Sequence, residues 1–326
     1  MSYLHYLIFL TLFLQLFLIS SSQITFELTP SQYGTYSIEL CLGEDGLCDD
    51  FTIDLTYLNL KVFKNSIYNP LFNTTSNIPI DVFRTAIPSQ TKSKHCNVDA
   101  EFDFISTTHP ELKCIVGLSQ QSLFLYSILE YVERKIFYID INKLKLVFGD
   151  YPDQYYRKFP NRFKDYKYCS LTSKTNPQYS CYIDSIYFKN EIYHIENTVD
   201  FNIGTSYIYV DKSFMDLIKQ VYFAKYIKDN TCSYEQNGKE HFITCKNDFD
   251  YINEEGLFDI YVIINKFSLR LTKNELFLKY DTGNLMFMIV YNEDNSNWIF
   301  GSALFKRHIV IIDQEHDQLG FIPYIK

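Results

Sequence analysis

Two stretches of this 326-residue chain follow one plan, and any fold has to accommodate both. In each, a strand-like run carries an acid or its amide at the matching position, a polar segment follows, and two apolar residues then lead into a glycine. The first copy has Asp54 and later Ile115-Val116-Gly117; the second has Asn202 and later Ile299-Phe300-Gly301. Two distant copies point to two related halves, whereas a stacked array needs more repeats. The second copy is the sharper. Val199-Asp200-Phe201-Asn202-Ile203-Gly204-Thr205-Ser206 is a β-branched and aromatic run that enters a Gly turn and then two hydroxyl residues.

The rest of the chain also favours strands. Tyr and Phe number 28 each, and aromatic and β-branched residues fit a pleated, half-buried surface. Gly34 to Gly43 alternates apolar and polar positions, and Cys41 and Cys48 bracket a tight hairpin loop. A long strand is expected from Phe51 to Val62, a short one at Leu112–Leu118, and strand periodicity from Lys135 to Phe148. Later strands are expected at 182–195, 241–245, 257–271, 275–280, 284–291, 297–301 and 308–313. The last of these carries His308, with His316 in a turn. Helices are expected at 120–134 and 213–228. In the second, Phe214, Leu217, Ile218, Val221 and Tyr222 share a face, with Asp211 or Ser213 as cap. The fold class is therefore all-β with a few short helices.

Residues 1–22 are expected to be a cleaved signal peptide. Leu4 to Ile19 is apolar apart from His5, Thr11 and Gln15, and Ser20-Ser21-Ser22 supplies small residues at the cleavage point. Eight cysteines fit an oxidising compartment. They allow 105 connectivities, of which pairing sequence neighbours is the simplest: Cys41–Cys48, Cys96–Cys114, Cys169–Cys181 and Cys232–Cys245. No Cys or His grouping has metal-ligand spacing, and neither metal nor cofactor is expected. A net charge of −9 argues against a nucleic-acid partner. After cleavage no membrane span is expected, and the product is expected to be a monomer in the secretory lumen, in a lysosome-like compartment or outside the cell.

In order and approximate spacing, these pieces resemble the pepsin-like aspartic peptidases. Trp298 to Asp313 and Gln318-Leu319-Gly320-Phe321-Ile322 resemble that family's closing strands. Leu257 to Tyr280 resembles its late strand pair, with Phe258 where Pro is common. Gly34 to Gly43, Ile115-Val116-Gly117-Leu118 and Lys135 to Phe148 resemble segments of its first half. The resemblance implies a bilobal fold of two related β-barrel-like lobes around a central cleft, with an N-terminal lobe at 23–160 and a C-terminal lobe at 161–326. Residues 151–168 would connect the halves. It also places Cys232 and Cys245 where the second lobe often has a disulfide.

The resemblance implies a catalytic site as well, and there the chain departs from the pattern. Family members share one proton between two carboxylates, because two like charges about 3 Å apart cannot both ionise. Each carboxylate sits in an Asp-Thr-Gly loop. Here the first loop is Asp54-Leu55-Thr56-Tyr57, which keeps the acid, and the second is Asn202-Ile203-Gly204-Thr205-Ser206, which does not. Asp54 and Asn202 are thus the catalytic positions, and Thr56, Gly204, Thr205 and Ser206 the substrate-contacting ones. An amide neither accepts nor releases a proton near neutral pH. The family's Tyr-Gly flap also has no counterpart, since 64–113 holds one Tyr, Tyr68, and no Gly. Asp200 is an alternative acid, because i and i+2 share a strand face. Asp281-Thr282-Gly283 matches the core tripeptide but reads as a hairpin tip. The expectation is a catalytically inactive peptide- or protein-binding or structural module; the alternative is a divergent acid endopeptidase that uses Asp54.

Overall fold

The computed structural model describes residues 23–32, 34–42, 47–58, 60–63, 80–81, 97–98, 102–105, 114–152, 167–172, 177–189, 191–264, 267–279, 283–294 and 297–324. The expected signal peptide, the flap interval outside its short strands, Cys96 and the 160/161 lobe boundary lie outside them.

Three sheets hold these strands. One is built from the first half and runs in the order Asn97–Val98, Ile80–Asp81, Tyr36–Leu42, Leu47–Asp54, Cys114–Gly117, Leu60–Phe63, Phe102–Ile105. A larger one is built from the second half and centres on Ser180–Phe188, Glu191–Phe201, Trp298–Phe300, Ile208–Val210 and Ile289–Asn292. The third has six strands and joins the ends of the chain, in the order Ile24–Glu27, Lys145–Phe148, Ile136–Asp140, His308–Asp313, Gln318–Pro323, Lys167–Ser170. The chain is mostly strand with few short helices, and the all-β class holds.

Alternation explains the strands. Phe51, Ile53 and Leu55 are fully buried while Thr52, Asp54 and Thr56 are half-buried, so one face packs and the other carries polar groups. The core continues across the sheets through aromatic contacts, with Phe201 5.7 Å from Phe300 and 5.4 Å from Phe321.

The repeated plan is visible residue by residue. Leu47–Asp54 lies parallel to Cys114–Gly117 with Asp54 opposite Gly117, and Glu191–Phe201 lies parallel to Trp298–Phe300 with Phe201 opposite Phe300. In each half a strand begins six residues after the polar position, at Leu60 and at Ile208. Each pairs antiparallel with the residue before the glycine, Val116 or Phe300, and parallel with a further strand, Phe102–Ile105 or Ile289–Asn292. The two halves are copies of one unit down to register.

Several local expectations are corrected. The strand expected over 51–62 ends at Asp54 and resumes at Leu60, because Leu55 and Thr56 turn towards the other half. The first helix is only Leu123–Leu129, started by the Ser122 hydroxyl. The second is capped by Asp211, whose carboxylate accepts from Phe214 N at 2.8 Å. It is divided into Lys212–Leu217, a π-helical turn at Ile218–Tyr222, and Ala224–Lys228. The strand expected at 275–280 is preceded by a helical turn, Lys273–Leu276, where the Glu275 carboxylate accepts from Thr272 N. His308 lies on its strand, and His316 follows in the turn beyond.

Two of the expected disulfides are present, Cys169–Cys181 and Cys232–Cys245. Cys232 and Cys245 are directly opposite across a hairpin, and the backbone register sets Cys41 opposite Cys48 in the same way. Cys114 is buried, with its Sγ 3.9 Å from Asp49 Oδ2. No helix among the described residues is long and apolar enough to cross a membrane.

Candidate functional site

The ends of the two parallel strand pairs bring the repeated loops together. Leu118 N donates to Asp54 O at 2.8 Å in one half, and Asn202 N donates to Phe300 O at 3.0 Å in the other. The loops touch at Gly204, where an added Cβ would lie 2.8 Å from Ile53 O and 3.1 Å from Asp54 Cα. The missing side chain is what allows this approach.

Side chains then lock the contact. Asn202 Oδ1 accepts from Gly204 N at 2.8 Å within its own loop and from Leu55 N at 3.0 Å across the boundary. Asp54 Oδ1 accepts from Thr56 N at 2.8 Å and from Thr56 Oγ1 at 2.6 Å. Asn202 Nδ2 donates to Thr56 Oγ1 at 3.4 Å. These bonds form a one-way relay in which the amide donates to the hydroxyl and the hydroxyl donates to the carboxylate. Leu55 and Ile203, which stand where the Asp-Thr-Gly pattern has threonine, are both fully buried. The direct bond from the first loop's backbone to the second loop is therefore accepted by the Asn202 side-chain carbonyl.

Thr56, Gly204, Asp54 and Asn202 thus converge. Thr205 sits one residue further out, where its hydroxyl accepts from Tyr207 N at 3.3 Å and its carbonyl accepts from Ser302 N at 2.8 Å. Ser206 is buried, with Oγ 3.3 Å from where a Gly34 Cβ would be. Ser302 was not singled out by sequence, yet its hydroxyl donates to Gly34 O and ties the first hairpin to the second loop. Its place directly after Gly301 of the repeated plan was the available signal.

The alternative acids are placed elsewhere. Asp200 is buried and opposite Ser180, and its carboxylate accepts from the Ser180 hydroxyl. Among the described residues it makes no hydrogen bond to Asp54 or Asn202. Asp281 and Thr282 lie outside the described residues, between two antiparallel strands with Lys279 opposite Leu285; Gly283 has φ +87°.

Burial pushes the Asp200 carboxyl above the usual carboxylate range, and the Ser180 hydroxyl pulls it part of the way back. A raised folded value favours the protonated acid in the fold. That stability is complete below the unfolded value of about 3.9 and is lost as pH rises through the folded one. Asp200→Asn keeps an acceptor for Ser180 and is expected to raise the melting temperature at pH 7 but not at pH 3. Equal effects at both pH values would show that desolvation of the charge is not the cause.

Among the described residues the site holds no metal-ligating cluster. The one close grouping, Asp313, Glu315 and His316, lies elsewhere, in the turn after His308–Asp313. As a carboxylate–hydroxyl–amide relay, the site can hold hydrogen-bonding groups of a ligand. Among the described residues, no second carboxyl group shares a hydrogen bond with Asp54.

No curated protein matches the sequence. A family model described as eukaryotic aspartyl protease matches residues 118–324, which includes the Asn202 loop and begins beyond the Asp54 loop. With that match over more than half its length, and with the paired loops described above, the chain belongs to the eukaryotic, pepsin-like aspartyl protease family.

Proposed function

We propose that this chain is a secreted or lumenal member of its family that does not hydrolyse peptide bonds and instead holds a peptide or protein segment in the cleft between its lobes. The observation that carries the reading is the fixed direction of the Asn202–Thr56–Asp54 relay. In the shared-proton mechanism a water is held between two carboxyl groups, one acting as base and the other as acid. Here the Thr56 hydroxyl makes the bonds to both positions that such a water would make. Asn202 can only donate through its nitrogen, so the proton cannot pass in the other direction.

The relay also explains why Asn suits position 202. A carboxylate there would set a second acceptor against Thr56 Oγ1, whose single proton is already given to Asp54. Loss of one acid–base partner removes on the order of 10²–10⁴ in rate. The two disulfides are compatible with a secreted or lumenal location. The acidic net charge disfavours nucleic acid as the occupant. The lobes of this reading meet near residue 160, and the protein acts as a monomer.

The test is hydrolysis of a denatured protein at about pH 3–5, where paired carboxyl groups work. Wild type and Asp54→Ala are expected to show the same background with or without pepstatin. Pepstatin-sensitive cleavage by wild type that is lost in Asp54→Ala would overturn the proposal and establish a divergent active peptidase.

A further inference from the structure

The hydrogen bonds at the site leave a specific pair of groups unused. Both bonds to the Asp54 carboxylate fall on Oδ1. Among the described residues, Oδ2 accepts no hydrogen bond and no Lys, Arg or His forms an ion pair with Asp54. On the other side, Asn202 Oδ1 is fully engaged by Leu55 N and Gly204 N. Nδ2 gives one proton to Thr56, and its second has no partner among the described residues. The Thr56 hydroxyl lies 2.6 Å from Asp54 Oδ1 and 3.4 Å from Asn202 Nδ2, so those two atoms are at most 6.0 Å apart.

The site therefore presents one negative acceptor and one neutral donor on two side chains that share the Thr56 hydroxyl, a half-buried carboxylate and a buried amide. A partly desolvated carboxylate oxygen without a counter-charge is best complemented by a cation that donates hydrogen bonds. An amide N–H beside it calls for a carbonyl. The group that carries both, an ammonium next to a carbonyl, is the free amino end of a peptide.

Resting on the non-hydrolytic reading above, we infer that the site recognises the free N-terminus of a peptide, with its ammonium on Asp54 Oδ2 and its first carbonyl on Asn202 Nδ2. Thr56 acts as a positioning residue, because its N–H and hydroxyl occupy Oδ1 and leave Oδ2 as the available acceptor. The net charge of −9 supports approach of a cationic chain end.

The experiment uses a C-terminally amidated hexapeptide of alternating phenylalanine and alanine, made with a free and with an acetylated N-terminus. Binding to the full chain is followed by calorimetry at pH 7, and mass spectrometry of the mixture reports any cleavage. The free-amine peptide is expected to bind at least about tenfold more tightly, the scale of a hydrogen bond to a charged group. Added salt should erode that preference. Asp54→Asn keeps an acceptor for Thr56 and should bring the two peptides to parity, with a melting temperature close to wild type confirming that it folds. Equal or tighter binding of the acetylated peptide, binding of neither peptide, or a preference that survives in Asp54→Asn would each overturn the inference. Cleavage of either peptide would instead overturn the non-hydrolytic reading, so the two failures are distinguishable.

Discussion

Gly301→Ala is expected to cost about 3 kcal/mol of stability or more, enough to deplete the soluble protein. An added Cβ would lie 2.2 Å from Tyr207 O, 2.5 Å from Thr205 O and 3.0 Å from Tyr207 N. All three are backbone atoms, so no side-chain rotation relieves the overlap. Nor can the backbone easily yield. Thr205 O accepts from Ser302 N, and Tyr207 precedes the strand Ile208–Val210, which is paired on both sides. Gly301 has φ −82°, so its need for glycine is purely one of space. Gly238 is the useful contrast, with φ +59° and nothing within 4 Å of an added Cβ. Gly238→Ala should cost about 1–2 kcal/mol, the left-handed backbone penalty alone. Urea unfolding of the two variants beside wild type checks this. A Gly301→Ala loss no larger than that of Gly238→Ala would mean that the second loop is not packed as described.

The second large effect concerns acid. Burial pushes His308 down to about 4, against a hydrogen bond to the Leu304 carbonyl at 3.3 Å that pulls upward, while the charges of Lys167 and Arg307 add to the fall. A histidine with a depressed folded value stabilises the fold as the neutral ring. That contribution is complete above the unfolded value of about 6.5 and is lost as pH falls through about 4. The interval corresponds to about 3 kcal/mol. Between pH 7 and pH 4 wild type should lose about that much more stability than His308→Gln, measured by urea unfolding at each pH. Equal losses would show that His308 is charged or hydrated in the folded state. Asp200 works in the opposite direction, because its raised value makes the fold more tolerant of acid than of neutrality.

Much of the site was legible in the sequence because it follows local rules. The alternation of Phe51, Ile53 and Leu55 marks a half-buried strand wherever it lies, and the repeated plan located both loops. Asn202 could be read directly, and an amide has the same proton chemistry in any fold. The helix cap at Asp211 was one of two candidates. Its carboxylate binds Phe214 N and also Trp298 Nε1 at 2.9 Å, a contact 87 residues away that no local pattern specifies.

Asp200 illustrates the limit. Its position two residues before Asn202 suggested a shared face, but the strand ends at Phe201 and the two side chains part company. Asp200 meets Ser180 because Ser180–Phe188 pairs with Glu191–Phe201, and pairing is a property of the sheet. The break after Asp54 has the same origin. Residues 55–58 have good strand composition, but the chain turns at Leu55 and Thr56 to give Leu55 N to Asn202.

By itself, then, the sequence determined the strands, their repeated plan and the family, and it put an amide at position 202 where the resemblance expects a carboxyl group. The tertiary structure decided which groups that amide meets. Thr56 was expected to touch substrate, yet its hydroxyl is committed between Asp54 and Asn202, and Asn202 lies 146 residues from Thr56 in sequence. The physical reason is that alternation and residue chemistry act over a few neighbours. The direction of a hydrogen-bonded relay depends on which donors and acceptors two distant loops bring to the same point.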